Sequence, residues 1–155
     1  MSAAPHPPVH AVMSAALIAA LFFTVALLVI TAYFIFGSVP LLILKHDTPM
    51  DSRFVQGFFN TYYRLAIVAA SGTAVSYALA GRLTFAAEAA ALALLAICLR
   101  RKVIAKMSAV RAQMQANTAS ATRAFRQLHI VAISINVAQL VLIVWTLIAV
   151  SIAQR

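Results

Sequence analysis

Apolar residues run along this chain in long stretches, and the polar residues inside them fall on faces rather than at random. The stretch 11–44 carries no formal charge. As one helix it would measure about 51 Å, more than the roughly 30 Å of a bilayer's hydrocarbon core. Pro40, preceded by Gly37 and Ser38, predicts a kink or break, because proline removes a backbone donor and clashes with the carbonyl four residues back. A first span over about 11–36 is expected, with a second helical piece running to 44. Residues 1–10, with three prolines, read as an irregular tail. They lack the basic start of a secretory signal, and the apolar run that follows is too long for one.

Next comes Lys45-His46-Asp47-Thr48-Pro49-Met50-Asp51. Thr48 fits a helix N-cap, Pro49 the first helical position, and Asp51 completes a T-x-x-D capping pattern. A second helix is expected from about 49 to 80, ended by Gly81, with its span over 58–80. Arg53, Gln56, Asn60, Arg64 and Ser71 share one of its faces. Ala70, Ala74 and Ala78, and Gly72, Ser76 and Ala80, form small-residue series that let backbones approach closely in lipid.

After a short turn at Arg82 an alanine-rich third span covers 84–99, with Glu88 near its start. Beyond Leu99, the cations Arg100, Arg101, Lys102, Lys106 and Arg111 alternate with Val103, Ile104, Met107 and Val110. No Gly or Pro occurs over 82–126, so the third helix should continue out of the bilayer with a basic face. The connection falls near 114–121. A fourth helix follows from about Ala121 to Ile152, its span at 125–152. The pattern predicts an all-α fold: an integral membrane four-helix bundle of antiparallel up-down topology. It is one domain over 11–155, its long helices extending past the bilayer on the cytoplasmic side.

Composition supports the membrane class. The chain of 155 residues is 64% hydrophobic and 10% charged, whereas a soluble domain is about 25% charged. A net charge of +9 could suit nucleic acid, but seven of the twelve basic residues lie within 100–126, beside predicted membrane ends. That is the positive-inside pattern, and no nucleic-acid partner is expected. The segments 45–64 and 100–126 hold ten Lys/Arg against two elsewhere. This places the longer connections in the cytoplasm and both termini outside it, in a bacterial-type inner membrane. The face formed by Arg100, Arg101, Lys102 and Lys106 suits anionic lipid headgroups. The single cysteine, Cys98, allows no intramolecular disulfide.

The candidate chemistry lies in the fourth span. After Arg126 no Lys, Arg, Asp or Glu appears until Arg155, yet His129, Asn136 and Gln139 lie within the run. With Arg126 they occupy one sector of about 140° on a helical wheel. Polar side chains in a span face a bundle interior or a cavity, since hydrocarbon offers them no partner. Asn60 and Arg64 should lie at the same depth, so His129, Asn136, Asn60, Arg64 and Arg126 are the candidate ligand-binding residues. Three readings stay open: an interhelical hydrogen-bond network, a ligand site with His129 as a metal or haem ligand and an arginine on an anionic group, or a pathway for protons or a small solute. A soft-metal pair of His46 and Met50 is weighed against a plain loop. No hydrolase triad, phosphate loop or dinucleotide fingerprint is present.

The run F-R-Q-L-H-I-V-A-I-S-I-N at 125–136 resembles the F-x-x-L-H-x-x-S-x-x-x-N signature of a widespread four-span family with no assigned function, whose eukaryotic members are named only as small transmembrane proteins. It departs at the serine, where Ala132 stands and Ser134 follows two residues later. G-S-V-P-L-L at 37–42 and F-F-N-T-Y-Y-R-L at 58–65 are also similar to that family. The family is distantly similar to the copper-resistance D-type membrane proteins and to the haem-containing protoporphyrinogen oxidase of the HemJ type. That resemblance implies metal or redox work, with haem b as a cofactor. The histidine of those relatives sits early in the first span, where this chain offers His10. The expected function is an accessory or small-ligand-binding membrane protein without its own catalysis. The alternative is a haem- or metal-binding redox protein using His129. Expected partners are the lipid bilayer and its anionic headgroups, with a homo-oligomer or a membrane-protein partner beside them.

Overall fold

The computed structural model describes residues 9–41, 49–113 and 118–153. These form four α-helices: α1 Val9–Leu41, α2 Pro49–Leu79, α3 Leu83–Gln113 and α4 Thr118–Ala153. Among the described residues there is no strand. The Thr48 cap, His46, the tail before Val9 and the connection at 114–117 lie outside the described residues.

The expected break at Gly37–Pro40 does not occur: α1 stays one helix of 33 residues with Pro40 inside it. Pro40 lies next to the last described residue of α1, and its ring removes the amide that would bond the Phe36 carbonyl without ending the helix before it. The expected continuation over 42–44 lies outside the described residues. The reading of α3 holds, since one helix of 31 residues runs unbroken to Gln113 through the basic segment.

Gly81 ends α2 with a φ of 72°. The Arg82 amide donates to the Tyr77 carbonyl at 2.9 Å and the Gly81 amide to the Ala78 carbonyl at 3.0 Å. This is a Schellman cap, which satisfies two of the four carbonyls a helix end leaves open. It folds α3 straight back along α2.

The helices form a ring in which α2 packs closely on α1 and α3, while α4 sits more loosely against α3 and α1. Two phenylalanine–glycine contacts set the α1–α2 register. A Cβ built on Gly37 would fall 2.8 Å from Phe58 Cζ, and one built on Gly72 would fall 2.8–2.9 Å from three ring atoms of Phe23. Moving from 23 to 37 on α1 moves from 72 to 58 on α2, so the helices run antiparallel and each lends a glycine to the other's ring. Alanines make the α2–α3 seam equally close: Ala66, Ala69 and Ala70 of α2 and Ala89, Ala93 and Ala96 of α3 are all buried.

Three helical segments are long and apolar enough to cross a membrane: Ala15–Leu41, Leu83–Gln113 and Ser120–Ile152. The outside of these helices is apolar, with Phe22, Tyr33, Phe36, Leu94, Val141 and Trp145 all exposed. Helix α2 is not among the three. Tyr62, Tyr63, Arg64, Ser71, Gly72, Thr73 and Ser76 dilute its apolar half. Most of that polarity is turned inward, since Tyr62, Tyr63, Thr73, Ser76 and Tyr77 are buried while Leu65, Val68, Val75 and Leu79 are exposed.

Candidate functional site

Aromatic residues of α1 and α2 fill one end of the bundle. Phe34 stacks on Tyr62 with ring centroids 3.9 Å apart and meets Phe59 edge-on at 4.8 Å. Phe59 in turn meets the imidazole of His129 edge-on at 5.1 Å. These side chains span the diagonal between α2 and α4, whose backbones make no close approach. Large rings are required there, because only they are long enough to close the centre.

Polar groups are set into this aromatic packing. The Tyr62 hydroxyl donates to Asn136 Oδ1 at 2.9 Å, and Asn136 Nδ2 donates to the Ala132 carbonyl at 2.8 Å. The bond from Ala132 orients the amide, so its oxygen faces α2. Thr31 of α1 lies beside the Tyr62 hydroxyl, and Tyr63 lies beside Asn136, both outside close hydrogen-bond geometry. One turn along α4, Gln139 is 2% exposed. Among the described residues no hydrogen-bond partner reaches either polar atom of Gln139, Thr31 Oγ1 or the Tyr63 hydroxyl. Buried polar atoms left unpaired cost roughly 1–3 kcal/mol each, and more where lipid replaces water outside.

Of the five candidate residues, the structure brings His129 and Asn136 into the interior, both fully buried. It does not bring Arg64 and Arg126 with them, since both are exposed. Asn60 is half-buried and points at α3, where its Oδ1 accepts from Arg100 Nε at 3.0 Å. The polar face of α2 is thus displaced from the interior. The stripe Phe59, Tyr62, Tyr63, Ala66 and Ala70 takes the inward side, and Arg53, Gln56, Asn60 and Arg64 are left toward α3 or the outside. Tyr62, Tyr63 and Thr31 were missed. Their signal was present, since Phe59, Tyr62, Tyr63 and Ala66 recur at helical spacing, but tyrosine reads as apolar in such a pattern.

A haem or metal does not fit this arrangement well. The imidazole of His129 is fully buried and packed against Phe59, whereas an axial ligand needs a ring nitrogen with clear space toward the iron. Among the described residues no three His, Cys, Asp or Glu side chains gather to hold a metal ion. His10 lies in α1 and His46 outside the described residues.

Two further features flank the cluster. A groove of about 220 Å³ runs between α1 and α2, lined by Val29, Tyr33, Phe34, Phe58, Tyr62 and Leu65. Tyr62 therefore forms part of an outward groove and also bonds Asn136 inside. At the far end of α4, Thr146 Oγ1 shares its proton between Glu88 Oε2 at 3.2 Å and the Leu142 carbonyl at 2.9 Å. Glu88 stays exposed, away from His129. Set against known proteins, the chain matches no family model, no curated protein and no solved structure.

Proposed function

We propose that the chain is a four-span integral membrane protein that binds a small lipophilic molecule with a hydrogen-bonding end, without catalysis of its own. In this reading α2 is the fourth span. Its large apolar side chains Leu65, Val68, Val75 and Leu79 face outward while Thr73, Ser76 and Tyr77 are buried with small alanines, the reverse of a soluble helix. The basic ends of α2 and α3 then lie in the cytoplasm, with up-down topology, both termini outside and an inner-membrane location. Its surroundings are the bilayer and anionic headgroups, and the apolar exterior also suits a homo-oligomer or a membrane-protein partner.

One observation carries the ligand reading. Gln139 keeps both polar atoms unpartnered, among the described residues, one turn from the Tyr62–Asn136 bond inside an apolar exterior. Such atoms favour a guest able to bond them. The apolar groove along Tyr62 offers a route from the lipid side. The resemblance to four-span families with metal or haem relatives supplies the competing reading, a redox protein using His129.

Native mass spectrometry of protein purified in mild detergent tests the choice. The expected result is a small molecule that leaves on denaturation and is absent from Asn136→Leu/Gln139→Leu protein. A Soret band at about one haem per chain, lost in His129→Ala, would overturn it. Reporter fusions after Gln115 and Arg155 test the topology, and a cytoplasmic signal at Arg155 contradicts it.

A further inference from the structure

A second polar region lies outside the bundle centre, along the seam of α2 and α3. Two adjoining recesses of about 350 and 310 Å³, with Asn60 and Ile104 in both linings, make up a groove on this seam. Its charged lining is Arg53 from α2 and Arg100, Arg101 and Arg111 from α3. No acidic side chain is among the residues that line the groove, and Glu88 is engaged with Thr146 instead.

The groove is built rather than merely basic. Asn60 accepts from Arg100 Nε at 3.0 Å, leaving both terminal nitrogens of that guanidinium uncommitted to Asn60. Gln56 Oε1 accepts from one terminal nitrogen of Arg111 at 2.9 Å. Gln56 is itself fixed through Nε2, which donates to Ser108 Oγ at 2.5 Å and to the Ile104 carbonyl at 3.3 Å. Neutral amides therefore orient two arginines without cancelling their charge. A carboxylate at either position would hold the arginine equally well and quench it. Planar guanidinium forks held this way match phosphate oxygens, which accept two parallel N–H bonds.

We propose that the α2–α3 groove is a binding site for a phosphate-bearing anion, with Arg100, Arg101, Arg111 and Arg53 as its ligands and Asn60 and Gln56 as positioning residues. The Arg100–Arg101 end lies where the apolar part of α3 gives way to its basic part, level with lipid phosphates if α3 spans the bilayer. Arg111 reaches back to Gln56, one turn of α2 and about 6 Å along its axis from the Asn60 that holds Arg100, so the two guanidinium groups serve one site. The same chemistry serves a phospholipid headgroup or a soluble phosphate compound.

The test uses the full-length protein in a neutral detergent. Binding is measured by native mass spectrometry against phosphatidylglycerol, against phosphatidylcholine, and against inorganic pyrophosphate. One phosphatidylglycerol per chain, held over phosphatidylcholine, assigns the site to lipid; pyrophosphate binding at one per chain assigns it to a soluble anion. Arg100→Gln/Arg111→Gln should weaken the bound species at least about tenfold. Arg82→Gln/Arg123→Gln removes the same charge from positions outside the groove and should leave binding within about twofold. Asn60→Asp, nearly isosteric, places a competing carboxylate on Arg100 and should weaken binding even if the double arginine variant fails to fold. Equal loss in the groove variant and the Arg82/Arg123 variant, unchanged binding in Asn60→Asp, or no bound anion at all would overturn the proposal.

Discussion

The interior around Asn136 and the groove between α2 and α3 both join polar side chains from separate helices, under opposite constraints. Inside, the polar groups are phenol, amide, hydroxyl and imidazole, packed against Phe34 and Phe59. In the groove the essential groups are cations, and amides hold them in place. The difference follows from the surroundings. Burying an unpaired charge is far more costly than burying an amide, so arginines stay where a recess opens outward. The interior trades on shape and unsatisfied hydrogen bonds, while the groove trades on uncompensated charge. Stability should therefore reside in the first region and anion binding in the second.

The largest separation should come from His129→Ala. A fully buried ring in contact with Phe59 leaves a cavity, and a loss of about 2–4 kcal/mol is expected from thermal or denaturant unfolding in detergent. A loss under 0.5 kcal/mol, roughly the scale of a surface change, would show that the interior is not packed as described. Asn136→Leu should cost about 1–2 kcal/mol, because it strands the Tyr62 hydroxyl. Gln139→Leu should have the opposite sign in ligand-free protein, neutral to about 1 kcal/mol stabilising, since it removes two unpartnered atoms. Stabilisation by both leucines would break the distinction between paired and unpaired amides. Gln56→Ala should be the smallest stability effect, under about 1 kcal/mol, while still reducing anion binding through Arg111. Raising sodium chloride to about 1 M, where the screening length is near 3 Å, should weaken groove binding and leave the cost of His129→Ala unchanged.

How far the sequence reached follows the same division. Helix extents were legible because apolar periodicity and the absence of Gly or Pro leave few alternatives, as in the unbroken α3. The inward position of His129 and Asn136 was legible because an apolar run of that length gives a polar side chain nowhere else to go. Arg64 and Arg126 were misplaced because a helical wheel reports an angle, not which angle faces the centre. In α2 the aromatic stripe claims that direction, and in α4 Arg126 lies at the edge of a sector centred on His129 and Asn136. The groove was half visible: Arg100 and Arg101 were expected at headgroups, but the service of Asn60 and Gln56 to arginines depends on the α2–α3 register. At Pro40 the expectation was a kink or a break, and α1 runs unbroken through it to Leu41.

The exchanged glycines of α1 and α2 bear on how the bundle moves. Two rings keyed into the opposite backbone 14 residues apart on each helix, 23 to 37 and 72 to 58, make a slide of either helix drive a ring into a Cβ-bearing neighbour at both stations. Sliding is thereby suppressed, and the alanine seam fastens α3 to the same slab. Helix α4 has no such keys and touches its neighbours more sparsely. Freedom is concentrated in that one helix, which carries His129, Asn136 and Gln139 together. We therefore expect a guest molecule to be admitted by a tilt of α4 against a static three-helix wall. Amide hydrogen exchange should be faster over 126–140 than over 62–76, and the reverse order would place the moving part elsewhere.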